Sequence, residues 1–166
     1  MKTILAVAMA VLALAGGAQA APASWSGIDW LAGRWIAAGG GAEQGTGGFS
    51  FLPDAGGTVL VRRNVADYPA QNGRPASHHE DLMVIFHEGP ALRATYWDSE
   101  GQTIHYAVSA PEPGAVLFVS DDPAGPRFRL TYRRTPKGLD GSFEIAPPPG
   151  RDQFRNYLTW KAERAR

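Results

Sequence analysis

Arg127-Phe128-Arg129-Leu130-Thr131-Tyr132-Arg133-Arg134 alternates along its whole length. Phe128, Leu130 and Tyr132 fall on one face, and Arg127, Arg129, Thr131 and Arg133 on the other. Successive side chains of an extended strand point to opposite faces. A period of two held over this stretch therefore marks a strand with one face in a core and the other in water. The stretch 153–161 repeats the pattern, with Phe154, Leu158 and Trp160 set against Arg155, Thr159 and Lys161.

Working outward, the rest of the chain reads as short apolar runs separated by Gly, Pro, Asn and Asp. Strands are expected at 34–38, 48–52, 58–65, 80–87, 91–98, 103–109, 115–120, 127–134, 138–146 and 153–161. Glu88-Gly89-Pro90, Asp98-Ser99-Glu100-Gly101 and Pro136-Lys137-Gly138 are tight-turn signals between them. Neighbouring strands joined by short turns form a meander, and a long meander removes its exposed edges by closing into a barrel. The expected fold is all-β, a single antiparallel ten-stranded barrel, with a two-sheet sandwich as the alternative. Only 26–31 has helical promise, a short N-terminal helix capped by Ser24 or Ser26 and stopped by Gly33. The one long connector, 66–78, is rich in Pro, Gly, Asn and Ala. It reads as a mobile lid at the end opposite Trp35, with Tyr68 as its large apolar contact.

The first 20 residues have a different character. Lys2 forms a positive n-region, 4–15 an apolar h-region, and Ala18-Gln19-Ala20 an Ala-x-Ala cleavage site. This is the pattern of a secretory signal peptide. The mature domain is expected to be 21–166, exported to the periplasm or the extracellular space, with no integral membrane segment after cleavage. Of 166 residues 146 then remain, enough for one domain with a real core. The absence of cysteine excludes disulfides, thiolate metal sites, a cysteine nucleophile and lipid attachment after the signal. Sixteen basic residues balance sixteen acidic ones, and loss of Lys2 leaves −1. No nucleic-acid partner and no polybasic membrane contact is expected from that balance. The charge is uneven, however: 79–122 holds eight acidic residues against Arg93 alone, and 127–166 holds ten basic against four acidic. Cross-strand pairing of the two regions plus a solvated tail over 161–166 accounts for it; a basic face for an anionic ligand is the other reading.

Leu31-Ala32-Gly33-Arg34-Trp35, leading into this meander, resembles the opening of calycin-like barrels. More closely, the chain resembles bacterial lipocalin-like proteins related to nitrobindin-type barrels. The stretches that carry this are Phe51-Leu52-Pro53-Asp54-Ala55-Gly56-Gly57, Tyr96-Trp97-Asp98-Ser99-Glu100-Gly101 and Phe154-Arg155-Asn156-Tyr157-Leu158-Thr159-Trp160. The resemblance implies that Trp35 plugs a closed end of the barrel and that a late basic side chain, Arg155 or Arg164, lies over it. It also implies a small apolar or amphipathic molecule held in the interior. The chain departs from these families in having no disulfide and in placing its last histidine, His105, mid-chain. Nitrobindin-type haem barrels place the iron ligand near the C-terminus, so haem is not carried over.

The candidate ligand-binding residues are Tyr96, Tyr106, Tyr132, His105, Trp160 and Arg62, an aromatic wall with a few polar points. Phe128, Phe143 and Asn156 extend that wall, and the same side chains would also fill the core of a barrel this size. The first alternative is a small barrel enzyme, a hydrolase or isomerase. It would use His105-Tyr106 beside Tyr96-Trp97-Asp98, a histidine near neutral pKa next to an acid. The second is a metal- or haem-binding barrel through His79, His87 or His105. His78-His79-Glu80-Asp81 is the densest polar cluster, but alternation splits His78 from His79, and no histidine follows at metalloprotease spacing. No metal ligand is assigned, and the cluster reads as a polar strand end. Gly39-Gly40-Gly41 lacks the Lys-Ser/Thr partner of a phosphate loop and reads as a hairpin connector. No motif names a cofactor or a catalytic residue.

Overall fold

The computed structural model describes residues 24–38, 45–71, 73–122, 125–150 and 152–166. The signal-peptide stretch and Gly39-Gly40-Gly41 lie outside these residues. Ten strands run in chain order: β1 (Gly33–Ala37), β2 (Thr46–Asp54), β3 (Val59–Tyr68), β4 (Ser77–Glu88) and β5 (Ala91–Asp98), then β6 (Thr103–Ser109), β7 (Ala115–Ser120), β8 (Arg127–Arg134), β9 (Leu139–Ala146) and β10 (Arg155–Arg164). Each pairs antiparallel with its sequence neighbours, and β1 closes on β10 through Trp35↔Arg164, Ile36↔Glu163 and Ala37↔Ala162. The result is a single closed barrel, and the sandwich alternative falls away. No described helix is long and apolar enough to cross a membrane.

Three expectations need correction. The segment 26–31 is a turn followed by one 3-10 turn, Asp29–Leu31, with no side-chain cap; its hydrogen bonds run back to Trp25 and Ile28 instead. The 66–78 connector is shorter than its composition suggests. Ala66, Asp67 and Tyr68 continue β3 and pair with His79, His78 and Ser77 of β4. Pro69, Gly73 and Pro75 crowd the middle, where the remaining 69–76 turn is pinched by a Gln71↔Arg74 bridge. The 161–166 stretch is not a solvated tail, because β10 runs through it: Ala162 is buried and Arg164 reaches back to the N-terminal segment.

Arg164 explains the Gly-x-Trp. Its guanidinium lies 4.5 Å from the centre of the Trp35 ring and donates to the carbonyls of Ala32 and Trp30 at 2.6 and 2.8 Å. Gly33 sits beneath it with φ +129, and a Cβ there would run into the Arg164 Nη1. Trp35 Nε1 donates to the Leu31 carbonyl at 2.8 Å. Ile28, Trp30, Leu31 and Trp35 are all buried, so this end of the barrel is plugged. Of the two arginines the resemblance singles out, Arg164 is the one over Trp35.

The uneven charge is met mostly at short range. Arg129 grips Glu144 across β8–β9 through two bonds of 2.6 and 2.7 Å, Lys161 lies 3.6 Å from Asp140, and Arg127 pairs with Asp152. Arg133 pairs with Glu112 and so links the basic end to the acidic middle.

Candidate functional site

Strand direction sorts the barrel into two ends. β1, β3, β5, β7 and β9 start at the plugged end, so the connectors after β3, β5 and β9 lie at the far rim. Inward-facing side chains change character along that axis. Near the plug they are apolar and closed off, with Leu60, Ile85 and Leu139 at 1 % exposure or less. Tyr132 stands at mid-height among aromatic rings, with centroids of Phe51, Phe49, Trp160 and Phe118 5.5–6.1 Å away. Toward the far rim the inward side chains Asn64, His79, Tyr96, Phe128, Phe143 and Trp160 are only half-buried. Among the described residues the barrel is closed at its base, and its inward side chains become half-buried toward the far rim, the mouth.

A polar column rises from that mid-height into the mouth. Alternation aims Arg62 and Asn64 of β3 inward in phase with Leu60, and His79 and Asp81 of β4 in phase with Met83 and Ile85. The cross-strand register Asn64↔Asp81 then places the carboxylate beside both β3 side chains. Arg62 Nη1 donates to Asp81 Oδ1, an ion pair whose side chains are 7 and 3 % exposed. Asn64 Nδ2 donates to Asp81 Oδ2 at 2.9 Å, and His79 Nε2 lies 3.2 Å from the same oxygen. The other His79 nitrogen, Nδ1, is 3.0 Å from Glu100 Oε2 in the β5–β6 turn. The Tyr96 hydroxyl sits 3.4 Å from His79 Nε2 and donates to Asp98 Oδ2 at 3.3 Å. Asp98 Oδ1 in turn accepts from the backbone N–H of Glu100 and Gln102, at 3.1 and 2.8 Å.

These contacts fix the charge states. Hydrogen bonding to Asp81, opposed by burial and assisted by Glu100, raises the His79 imidazole to about 9, so it is a cation at neutral pH. Its hydrogen bond holds the Glu100 carboxyl below the usual range. Burial opposes the Arg62 charge, but neighbouring Tyr132 and Asp81 outweigh it and the guanidinium stays protonated. Burial pushes Tyr132 up to about 12 and raises Tyr96 and Tyr106 as well, so all three phenols are neutral donors.

Two polar groups at the foot of the column are unmet: Arg62 Nε and the Tyr132 hydroxyl are buried without a hydrogen-bond partner. The Tyr132 oxygen lies against Arg62, but a guanidinium only donates. That contact leaves the Tyr132 O–H and the Arg62 Nε–H both in need of an acceptor.

Of the candidate residues, Arg62, Tyr96, Tyr106, Tyr132 and Trp160 face the interior and gather around this column. His105 does not join them. It projects from the outer face of β6 with Thr95 Oγ1 at 3.3 Å as its side-chain partner, which removes the basis of the His105 proton shuttle. His87 stands at the plugged end, bonded to the Ser24 carbonyl at 2.9 Å. His79, His87 and His105 thus occupy three separate places, and no group of three or more metal-ligating side chains is assembled among the described residues. Asn156 is exposed beside an irregularity in the β9–β10 register. Asn64, Asp81, Asp98 and Glu100 belong to the site; the sequence offered Asp98 only as an acid beside His105 and Asp81 only within a polar strand end, and did not point to Asn64 or Glu100 as site residues. The available signal was a charged residue in phase with an apolar face: Asp81 shares its phase with Met83 and Ile85. Two depressions of about 550 and 390 Å³ lie away from the column, one at the plugged end between Ser24, His87 and Leu92 and one beside Arg129 and Thr131; Arg62 lines neither.

No protein-family model matches the chain, and no curated protein matches it in sequence.

Proposed function

We propose that this chain is an exported, lipocalin-like barrel that holds a small apolar or amphipathic molecule in the half of its interior nearer the far rim. The observation that carries the reading is the pair of buried, unmet donors at the foot of an aromatic mouth, Arg62 Nε–H and Tyr132 O–H. A buried donor without an acceptor costs about 1–3 kcal/mol. A ligand that brings an acceptor to both removes that cost while its apolar part lies against Phe128, Phe143 and Trp160. Leu60, Ile85 and Leu139 are packed out of contact with water, so the reading places the ligand among the half-buried side chains nearer the far rim. Export rests on the sequence of residues 1–20, and the calycin relationship on the Gly33-Arg34-Trp35 opening and the meander that follows it. An enzyme on the same frame has less support. His79, held as a cation, is no base at neutral pH.

Native mass spectrometry of protein purified from its own host, with organic extraction of the same sample, is the test. A stoichiometric adduct that reappears in the extract supports the reading. A bare mass together with an empty extract defeats it.

A further inference from the structure

The electrostatics of the column specify the head of the ligand. Resting on the binding reading above, we infer that the molecule presents an uncharged hydrogen-bond acceptor, a carbonyl or similar oxygen, to Arg62 and Tyr132, and that carboxylates and amines are excluded. The charges cancel in place but for one. Arg62 is matched by Asp81, and the His79 cation lies between Asp81 and Glu100. Asp98 adds one further negative charge, held by the Tyr96 hydroxyl and two backbone N–H groups.

A carboxylate descending the mouth passes Glu100, Asp98 and Asp81. To pair with Arg62 it must displace Asp81, whose side chain is 3 % exposed and would be left as a buried, unmatched charge. An ammonium is held at the rim, where Asp98 carries the one unmatched negative charge. At the foot it meets the Arg62 and His79 cations, finds both Asp81 oxygens engaged and offers no acceptor to Arg62 Nε–H or Tyr132 O–H. A neutral acceptor changes no charge. It takes the two donors that no described residue satisfies and leaves every ion pair intact. Tyr96 and Trp160, both half-buried, stand beside Arg62 and Tyr132 and are the side chains that move aside to admit it. The site then discriminates by head group while the aromatic wall tolerates different tails.

The experiment is calorimetric titration at pH 7 of three ligands with the same tail: 2-decanone, decanoate and decylammonium. The ketone is expected to bind at least about tenfold more tightly than either ion, the worth of roughly one or two buried hydrogen bonds. Tyr132→Phe keeps the ring among its aromatic neighbours and removes one donor; it is expected to weaken the ketone by about tenfold and leave the ions unchanged. If decanoate or decylammonium equals or exceeds the ketone, or if Tyr132→Phe leaves ketone affinity intact, the uncharged-head inference is overturned while the binding reading stands. If none of the three binds, the binding reading falls with it. The ranking on the unaltered protein decides the matter even should the variant fail to fold.

Discussion

Arg62 and Asp81 form the one ion pair in the described core that is closed to water on both sides. Removing either partner strands the other charge, whereas removing both strands neither, although Asn64 and His79 lose the Asp81 oxygen they share. Arg62→Met or Asp81→Leu alone is expected to cost about 3–5 kcal/mol, and the double variant to recover at least half of that loss. Urea denaturation of the four proteins measures it, and strictly additive losses would show the pair to be uncoupled. His79 gives the molecule a pH signature. Its pKa in the fold, about 9, stands above the ordinary value of 6.5, so its stabilising contribution is complete below pH 6.5 and lost as pH rises toward 9. After allowance for a side chain that is 25 % exposed, that loss is about 1–2 kcal/mol. Denaturation midpoints at pH 6, 7.5 and 9 should fall in that order, and His79→Gln should flatten the trend. At Gly33, φ +129 and the guanidinium above it leave no place for a side chain. Gly33→Ala is expected to cost about 2 kcal/mol, read as a lower melting temperature.

At the scale of elements, the β3–β4 hairpin carries the site. Its register puts Asn64 opposite Asp81, and its outer end adds Asp67 and His78, paired at 2.6 Å on the exposed side of the rim. Replacing 69–76 by a two-residue Asn-Gly turn should leave the column and the fold in place, with stability changed by less than about 1 kcal/mol. Extending the deletion to 66–78 also removes the Ala66↔His79, Asp67↔His78 and Tyr68↔Ser77 pairs, and leaves His79 without its cross-strand partner. That deletion should be clearly destabilising. Equal melting temperatures for the two deletions would mean that the extended part of the hairpin contributes nothing. Composition misled here because Pro and Gly report where a chain can turn, not how far two flanking strands zip before turning. Strand ends are set by the partner: Ala66-Asp67-Tyr68 has no strong pattern of its own and becomes strand by lying opposite Ser77-His78-His79.

At the scale of the whole molecule, closure depends on a short seam. Three residue pairs join β1 to β10, and Arg164 locks that seam onto the N-terminal segment. Deleting 162–166 removes the seam, the buried Ala162 and the cover of Trp35 together. The truncated protein is expected to lose cooperative thermal unfolding, and a sharp transition near that of the full chain would show that the barrel stays closed without it. The same closure accounts for the division of the interior into a plugged base and a half-buried mouth. Residues 24–32 are chained to the start of β1, so only one end can be stoppered by them.

The sequence by itself determined the class of the fold and the number of its strands. Alternation is a local property of neighbouring residues, and the tight-turn signals leave adjacent strands no choice but to pair. It also determined which side chains could face the interior, since a period of two fixes the face: Arg62, Tyr96, Tyr106, Tyr132 and Trp160 follow from phase alone. Only the tertiary structure decided which of them meet. Height in the barrel and neighbours across it depend on register and on how the sheet closes, and both are settled by pairings far apart in the chain. That is why Asp81, read from sequence as part of a polar strand end, became the buried partner of Arg62, and why His79 joined the column; His105, next to the inward Tyr106, is excluded by phase alone. Phase names the face; closure chooses the neighbours.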